Sequence, residues 1–396
     1  MKLALIGFGQ AGGKIVDKFL WYDQQTKSNI VRSAIVINTA KADLMGLSLV
    51  DPSQRILIGQ ERVKGHGVGA DNELGAQIAE EGLDVMQNII DKIPTHEIDA
   101  FLIVAALGGG TGSGGGPVLA RHLKKLYTQE PVYGLGIIPS VDEGGIYTLN
   151  AARSFQAFVN ETDNLLVFDN NAWRVGGESV EGGYEAINEE IVRRFGVLFG
   201  AGEIQDENQI AESVVDSSEI INTLAGGGVT TVGYAAESVP VVKRRSNILS
   251  RIPLIRRSKG FKDESSDTTN RITSLIRKAA LGRLTLPCEI MGAERALIVV
   301  SGPPNYLNRK GIEKGRKWIE EQTGSMEVRG GDYPIQNEDK VGAAVMLSGV
   351  TNIPRIKELQ RVAIEAKANM EEISAQSEAK LKELMEDGTD ELDPLF

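Results

Sequence analysis

The chain has 396 residues, enough for two domains with cores of their own. Its 41% hydrophobic and 24% charged residues are the balance of a globular protein in water, and a net charge of −11 argues against nucleic acid as a partner. A single cysteine, Cys288, excludes an intrachain disulfide, and no apolar run approaches the ~20 residues of a membrane span. A cytoplasmic location is expected.

In chain order, a strand over residues 2–6 runs into Gly7-Phe8-Gly9-Gln10-Ala11-Gly12-Gly13-Lys14. A helix follows with Ile15, Val16, Phe19 and Leu20 at core spacing, the opening unit of a doubly wound α/β sheet. A second strand, 32–38, ends in Asn38-Thr39, and a further glycine-rich stretch, GHGVGADNELG at 65–75, precedes a helix from about Asn72. Residues 98–107 form an apolar strand that leads into GGGTGSGGG at 108–116, with a helix expected from Pro117. Strands at 132–139 and 165–168 end in Asp142-Glu143-Gly144-Gly145 and Asp169-Asn170-Asn171. Polar or glycine residues at each strand end place one crevice at the carboxyl edge of a parallel sheet.

A long helix is expected over 182–204, and beyond it the pattern changes. Strands at 229–235, 296–301 and 341–347, with helices at 270–281 and 309–321, describe a smaller α/β domain. Residues 239–267 are irregular and basic, carrying Lys243, Arg244, Arg245, Arg251, Arg256, Arg257, Lys259 and Lys262. A Glu-, Lys- and Ala-rich helix over 356–385 ends in an acidic tail. The boundaries expected are 1–181 for a nucleotide-binding domain, 182–204 for a connecting helix, 205–360 for the second domain, and 361–396 for the terminal helix and tail.

Seven glycines among nine residues at 108–116, wedged between a buried strand and a helix, let the backbone approach an anion closely and aim N–H groups at it. Gly7-Phe8-Gly9-Gln10-Ala11-Gly12 also satisfies the dinucleotide pattern, but the second strand ends in Asn38-Thr39 rather than the acid that would hold a ribose. Gly12-Gly13-Lys14 is followed by Ile15, so the magnesium-binding Ser or Thr of a P-loop is absent. Three glycine loops on one sheet edge point instead to a triphosphate gripped by backbone amides.

GGGTGSG at 108–114 resembles the tubulin/FtsZ signature, and Gly9-Gln10-Ala11-Gly12 and GHGVGADNELG resemble the family's first and third phosphate loops. With Gly145-Ile146-Tyr147-Thr148-Leu149-Asn150-Ala151-Ala152-Arg153 and residues 214–234, the pattern is most similar to the archaeal CetZ branch, over about residues 1–360. The resemblance implies a GTP-binding domain, a long central helix and a smaller C-terminal domain. It implies that Gln10, Ala11, Gly12, Gly13 and Lys14 contact phosphates, with Gln10 near Mg2+. Gly108, Gly109, Gly110, Thr111, Gly112 and Ser113 would cradle the phosphate chain. Glu143 matches a ribose-binding acid, Asn170 and Asn188 match two guanine-reading amides, and Tyr184, one turn before Asn188, could stack on the base.

The glycine loops carry no group that activates water. Asp216 and Glu219, three residues apart at a helix start, resemble the acid pair that this family brings from an adjacent subunit; as residues alone they also fit a capping box. The family usually has Asn two residues before the first acid, where this chain has Val214. A split site implies head-to-tail filaments of the chain with itself, assembly-stimulated GTP hydrolysis, and a cytoskeletal role in archaeal cell shape. The basic stretch at 239–267 could meet a membrane surface, touch a lateral filament, or stay solvated. A nucleotide-binding scaffold with little turnover and a NAD-dependent oxidoreductase are the alternatives.

Overall fold

A computed structural model describes residues 1–174, 180–201, 215–240, 261–335 and 339–386. Val214, most of the basic stretch and the acidic tail lie outside these residues, so the readings made on them stay as expectations.

Ten strands form one sheet: β1 Leu3–Phe8, β2 Val31–Asn38, β3 Arg55–Leu57, β4 Ala100–Ala106, β5 Val132–Ile138, β6 Asn164–Asp169, β7 Val229–Ser238, β8 Arg295–Gly302, β9 Glu327–Pro334 and β10 Lys340–Ser348. Their order is β3-β2-β1-β4-β5-β6-β7-β10-β8-β9. From β3 through β7 every pairing is parallel, while β10 runs antiparallel to both β7 and β8. The second half is therefore joined to the first edge to edge through a short seam, Leu165↔Val229 and Leu166↔Thr230. Fully buried runs such as LALIGF in β1 and VYGLGII in β5 need both faces covered, and helices cover them. Two apolar clusters result, one on each face of the sheet.

Most expected elements are present within a few residues. β3 and β9 were not expected: β3 is three residues long, and β9 (EVRGGDYP) is a polar edge strand paired only with β8. The central helix spans Val180–Gly200, and residues 202–204 of its expected range lie outside the described residues. Two further corrections concern helix starts. In the first, the helix expected at 270–281 begins at Phe261, so that residues 261–267 of the stretch expected to be irregular are helical. The helix expected from Pro117 spans Thr111–Leu126, so the glycine run is itself helical and Pro117 lies inside it. Proline cannot bond the carbonyl four residues back. That carbonyl belongs to Ser113, and it accepts a hydrogen bond from Ser154 Oγ at 2.9 Å instead.

Glycine lets this helix sit close to its neighbours. A Cβ at Gly114 would lie 2.1 Å from Asn72 O, one at Gly115 2.3 Å from the Phe8 ring, and one at Gly116 2.2 Å from the Phe158 ring. A Cβ at Gly109 would meet nothing within 4 Å. Within the run, Gly114–Gly116 pack against neighbouring elements, as do Gly108, Gly110 and Gly112, while Gly109 alone of the seven glycines meets open space.

Among the described residues no helix is long and apolar enough to cross a membrane.

Candidate nucleotide site

A cavity of about 470 Å³ opens at the carboxyl ends of β1, β2, β4, β5 and β6. That volume suits a small-molecule ligand. Two helix N-termini line it, Gly9–Thr26 through Gln10, Ala11 and Lys14, and Thr111–Leu126 through Thr111 and Gly112. The first turns of both helices contain no acidic residue, so their free N–H groups and positive ends remain available to an anion.

The glycine-rich wall of the cavity is held in large part by two side chains to which sequence reasoning assigned no role of their own, Asn150 and Asp43. Asn150 Nδ2 donates to Ala70 O (2.7 Å), Gly108 O (3.0 Å) and Gly109 O (3.3 Å), tying the third glycine loop to the central one. Gly65, Gly67, Gly69 and Ala70 all have positive φ, which coils that loop, and Asp71 then caps the next helix through Leu74 N (2.9 Å). Thr111 Oγ1 bonds Thr39 Oγ1 at 2.7 Å, so its hydroxyl spans two strand ends. Asp43 accepts from Gln10 Nε2 and from Asn38 Nδ2, each at 3.1 Å, and lines the cavity with both. The signal for Asn150 and Asp43 was available only as uncharged or acidic residues beside glycine loops, which does not separate them from surface polars.

Of the expected contacts, Gln10, Ala11, Lys14, Gly108, Gly109, Gly110, Thr111, Gly112, Glu143, Asn170, Tyr184 and Asn188 line this one cavity. Gly12, Gly13 and Ser113 do not line it. A Cβ at Gly12 would strike Val104 O at 2.1 Å and one at Gly13 would strike Val36 at 2.9 Å, so these two glycines serve the contact of helix with sheet. Ser113 turns its hydroxyl back onto Gly109 O and Gly110 O.

At the other end of the cavity, Asn170 is 7% exposed and its Oδ1 is buried with no hydrogen-bond partner. A buried acceptor left open costs about 1–3 kcal/mol, which a ligand donor would offset. Asn188 and Tyr184 share the cavity-facing side of the central helix. Glu143 forms a capping box with Ser140, accepting from Ser140 N at 2.7 Å, and also lines the cavity; its capping and ligand-facing positions coexist. Burial, followed by the charge of Glu143 and a hydrogen bond to it, pushes the Tyr184 phenol up to about 12.

The acid pair lies elsewhere. Asp216 caps the helix Ser217–Leu224 through Glu219 N (3.1 Å) and accepts from Ser218 Oγ (2.5 Å). Glu219 Oε2 is buried without a hydrogen-bond partner, so the reciprocal half of a capping box is not made. The end of this helix is fixed at the amino edge of the sheet, where Leu224 O accepts from Asn164 Nδ2 (3.0 Å) and Asn222 O from Arg295 Nη1 (3.1 Å). The hydrogen bond from Ser218 holds the Asp216 carboxyl below its usual range. Burial and the neighbouring Asp216 charge push Glu219 up, partly offset by Arg329. Neither acid lines the cavity.

Comparison with known proteins matches this geometry. Residues 2–175 match the Tubulin/FtsZ family GTPase domain, and residues 177–365 match the Tubulin-like CetZ C-terminal domain. Tubulin-like protein CetZ1 of Haloferax volcanii is 71% identical over 94% of both chains. A structure described as the GDP-bound monomer of that organism's CetZ1 superposes with a TM-score of 0.82 at 68% identity, covering 93% of this chain and 100% of the other. A GTPγS-bound protofilament of its CetZ2 gives 0.81 at 42% identity, over 94% and 100% of the two chains. The cavity between glycine loops, the central helix and the appended four-stranded half are those of one family: this chain belongs to the CetZ branch of the tubulin/FtsZ superfamily.

Proposed function

We propose that the protein binds and hydrolyses GTP and polymerises head-to-tail into cytoskeletal filaments. The observation that carries the base assignment is Asn170, which lines the same cavity as Asn188 and whose buried Oδ1 has no hydrogen-bond partner. An acceptor suits the N1–H and 2-amino donors of guanine, and a second amide can donate to its O6. The two acid-free helix N-termini and the loop fixed by Asn150 receive the phosphates. Solved relatives described as GDP-bound and GTPγS-bound support the same ligand class. The dinucleotide alternative is not favoured, because Asn38 turns its carbonyl onto Thr39 N (2.8 Å) and Ala40 N (3.1 Å) instead of presenting an acid to a ribose.

Gln10 and Asp43 converge at the phosphate end and supply hard oxygen donors that suit Mg2+, directly or through water. When bound, that ion would neutralise charge on the phosphates. Gln10 amide and Asp43 carboxylate hold each other in place for the role.

Hydrolysis requires a group to orient water, and Asp216 and Glu219 are the candidates. Their opposite pKa shifts keep Asp216 ionised and make Glu219 the readier of the two to carry a proton. They stand toward the amino edge of the sheet and the cavity at its carboxyl edge, so translational stacking of subunits would bring the acids of one copy to the nucleotide of the next. That contact is heterologous and generates an open filament. A protofilament of the relative CetZ2 supports it. The cellular consequence proposed is control of cell shape from the cytoplasm, with residues 239–267 available for a membrane or lateral contact.

The test is the GTPase rate per subunit measured against protein concentration, with the co-purified nucleotide identified by chromatography. A rate that rises with concentration and bound GDP or GTP are expected. A flat rate would show that each subunit carries a complete site, and bound NAD would overturn the nucleotide assignment.

A further inference from the structure

Arg355, in the first turn of the C-terminal helix Pro354–Glu386, is 8% exposed. Its Nη2 donates to Pro139 O at 2.9 Å, its Nη1 pairs with Glu358 Oε2 at 2.8 Å, and its Nε lies at ion-pair distance, 3.4 Å, from Asp169 Oδ1. Pro139 follows β5 and lines the cavity. Asp169 ends β6 and immediately precedes Asn170. One guanidinium therefore grips the ends of two neighbouring strands from behind the cavity wall.

Asp169 has a second task. Its Oδ1 accepts from Asn171 N at 3.1 Å and so caps the short helix Asn170–Trp173 that carries Asn170. Asn171 Oδ1 in turn accepts from Ser140 Oγ and Val141 N, each at 3.3 Å, where the Glu143 cap begins. The turn that carries Asn170 is held on both sides by this chain of contacts through its neighbours Asp169 and Asn171. Asp169 is itself 2% exposed, and a buried carboxylate keeps its charge only beside a cation. Removing the guanidinium would favour the neutral acid and weaken the acceptor that fixes the Asn170 turn.

The geometry points to Arg355 as a positioning residue for base selectivity, acting through Asp169 to aim Asn170 Oδ1 at the 2-amino edge of guanine. This rests on the guanine-nucleotide reading above. It predicts a loss specific to the 2-amino group, because a site whose polar partner is misplaced discriminates less against the analogue lacking that group.

The experiment is equilibrium binding of GDP and of IDP, which lacks the 2-amino group, to nucleotide-stripped full-length protein. The wild type should prefer GDP by about tenfold, the worth of one well-made hydrogen bond to a buried acceptor. Arg355→Met should lose about tenfold in GDP affinity and less than about threefold in IDP affinity, so that the preference collapses. Arg355→Lys, which keeps a cation near Asp169 but cannot span to Pro139 O, should be intermediate, and it carries the test alone if the Met variant does not fold. Equal losses for both nucleotides, or an unchanged ratio in both variants, would overturn the positioning role and leave a plain structural ion pair. A wild type that binds neither nucleotide would instead overturn the guanine reading on which this inference stands.

Discussion

The two edges of the sheet are built to opposite plans. At the carboxyl edge, glycine loops and amides wall the cavity together with Lys14, Asp43 and Glu143, and an orphan there is a neutral acceptor, Asn170 Oδ1. Toward the amino edge stands a pair of carboxylates, one of which, Glu219, buries its Oε2 without a hydrogen-bond partner. A neutral open acceptor beside positive helix ends fits a ligand that brings anions and a donor edge. A carboxylate with no hydrogen-bond partner at one oxygen fits a role that the chain does not complete by itself. Under the proposed function, binding falls to one edge and hydrolysis to the other, and each should break without the other.

The largest effect should come from the amino edge. Asp216→Ala or Glu219→Ala should slow assembled GTPase turnover by about 10²–10⁴-fold, the usual worth of a positioned acid or base, while leaving GDP affinity within about twofold. Longer-lived filaments in light scattering should accompany the loss. Asp216→Ala also removes a helix cap worth about 1 kcal/mol, so thermal unfolding must be measured beside it. Normal turnover in both variants would make the pair a cap only, and the two edges would no longer divide the labour.

A second prediction uses pH. Burial raises Asp169 to about 6 despite Arg355, with Asn171 N also holding the charged form and Glu358 opposing it. Because the folded-state value exceeds the unfolded one, the folded protein binds the proton more tightly. Its contribution to stability is complete below about 4 and is lost as pH rises through about 6. Asp169→Asn should remove that slope, up to roughly 3 kcal/mol between pH 4 and 7, in the difference between the two unfolding curves. Identical pH dependence in both proteins would show that Asp169 is not perturbed.

The glycine run permits a third break within one edge. Gly114→Ala forces a Cβ against Asn72 O and Ala76 N, at 2.1 and 2.6 Å, and backbone atoms yield poorly. A destabilisation of about 1–3 kcal/mol is expected in denaturant melts. Gly109→Ala has open space and should leave stability within about 0.5 kcal/mol while weakening GDP binding, because the added methyl stands where a phosphate would approach. The reverse ranking would mean that Gly109 and Gly114 are misassigned.

That division was not legible in the sequence. GGGTGSGGG announces close approach but does not say to what. Periodicity placed the helix start at Pro117, because glycine and a proline read as its boundary, whereas tertiary packing against Phe8, Phe158 and Asn72 extends the helix back to Thr111. The parallel half of the sheet was readable, because buried strands are continuous apolar runs that end in glycine or amide. β9 was not, since an edge strand of mixed polarity carries no period. Twelve of the fifteen contacts expected from the resemblance line one cavity. Asn150, Asp43 and Arg355 were not readable: each acts by joining segments far apart in the chain, and spacing along one segment holds no trace of that.

The smallest effect tests how the carboxyl edge keeps its two walls in register. Lys18, on the helix that carries Gln10 and Lys14, pairs with Glu185 and Glu189 at 2.8 Å each. Those acids follow Tyr184 and Asn188 by one residue on the central helix. Both carboxylates are more than half exposed, so the pairs should contribute less than about 1 kcal/mol and be screened by salt. Lys18→Met should therefore lower GDP affinity no more than about threefold at low salt and not measurably near 1 M salt. The acid pair toward the opposite edge is not bridged by Lys18, so GTPase turnover at saturating GTP should not change. A loss that persists at high salt would show that the first and central helices depend on this lysine for packing, and the register of the base-reading face would then rest on its buried stem rather than its charge.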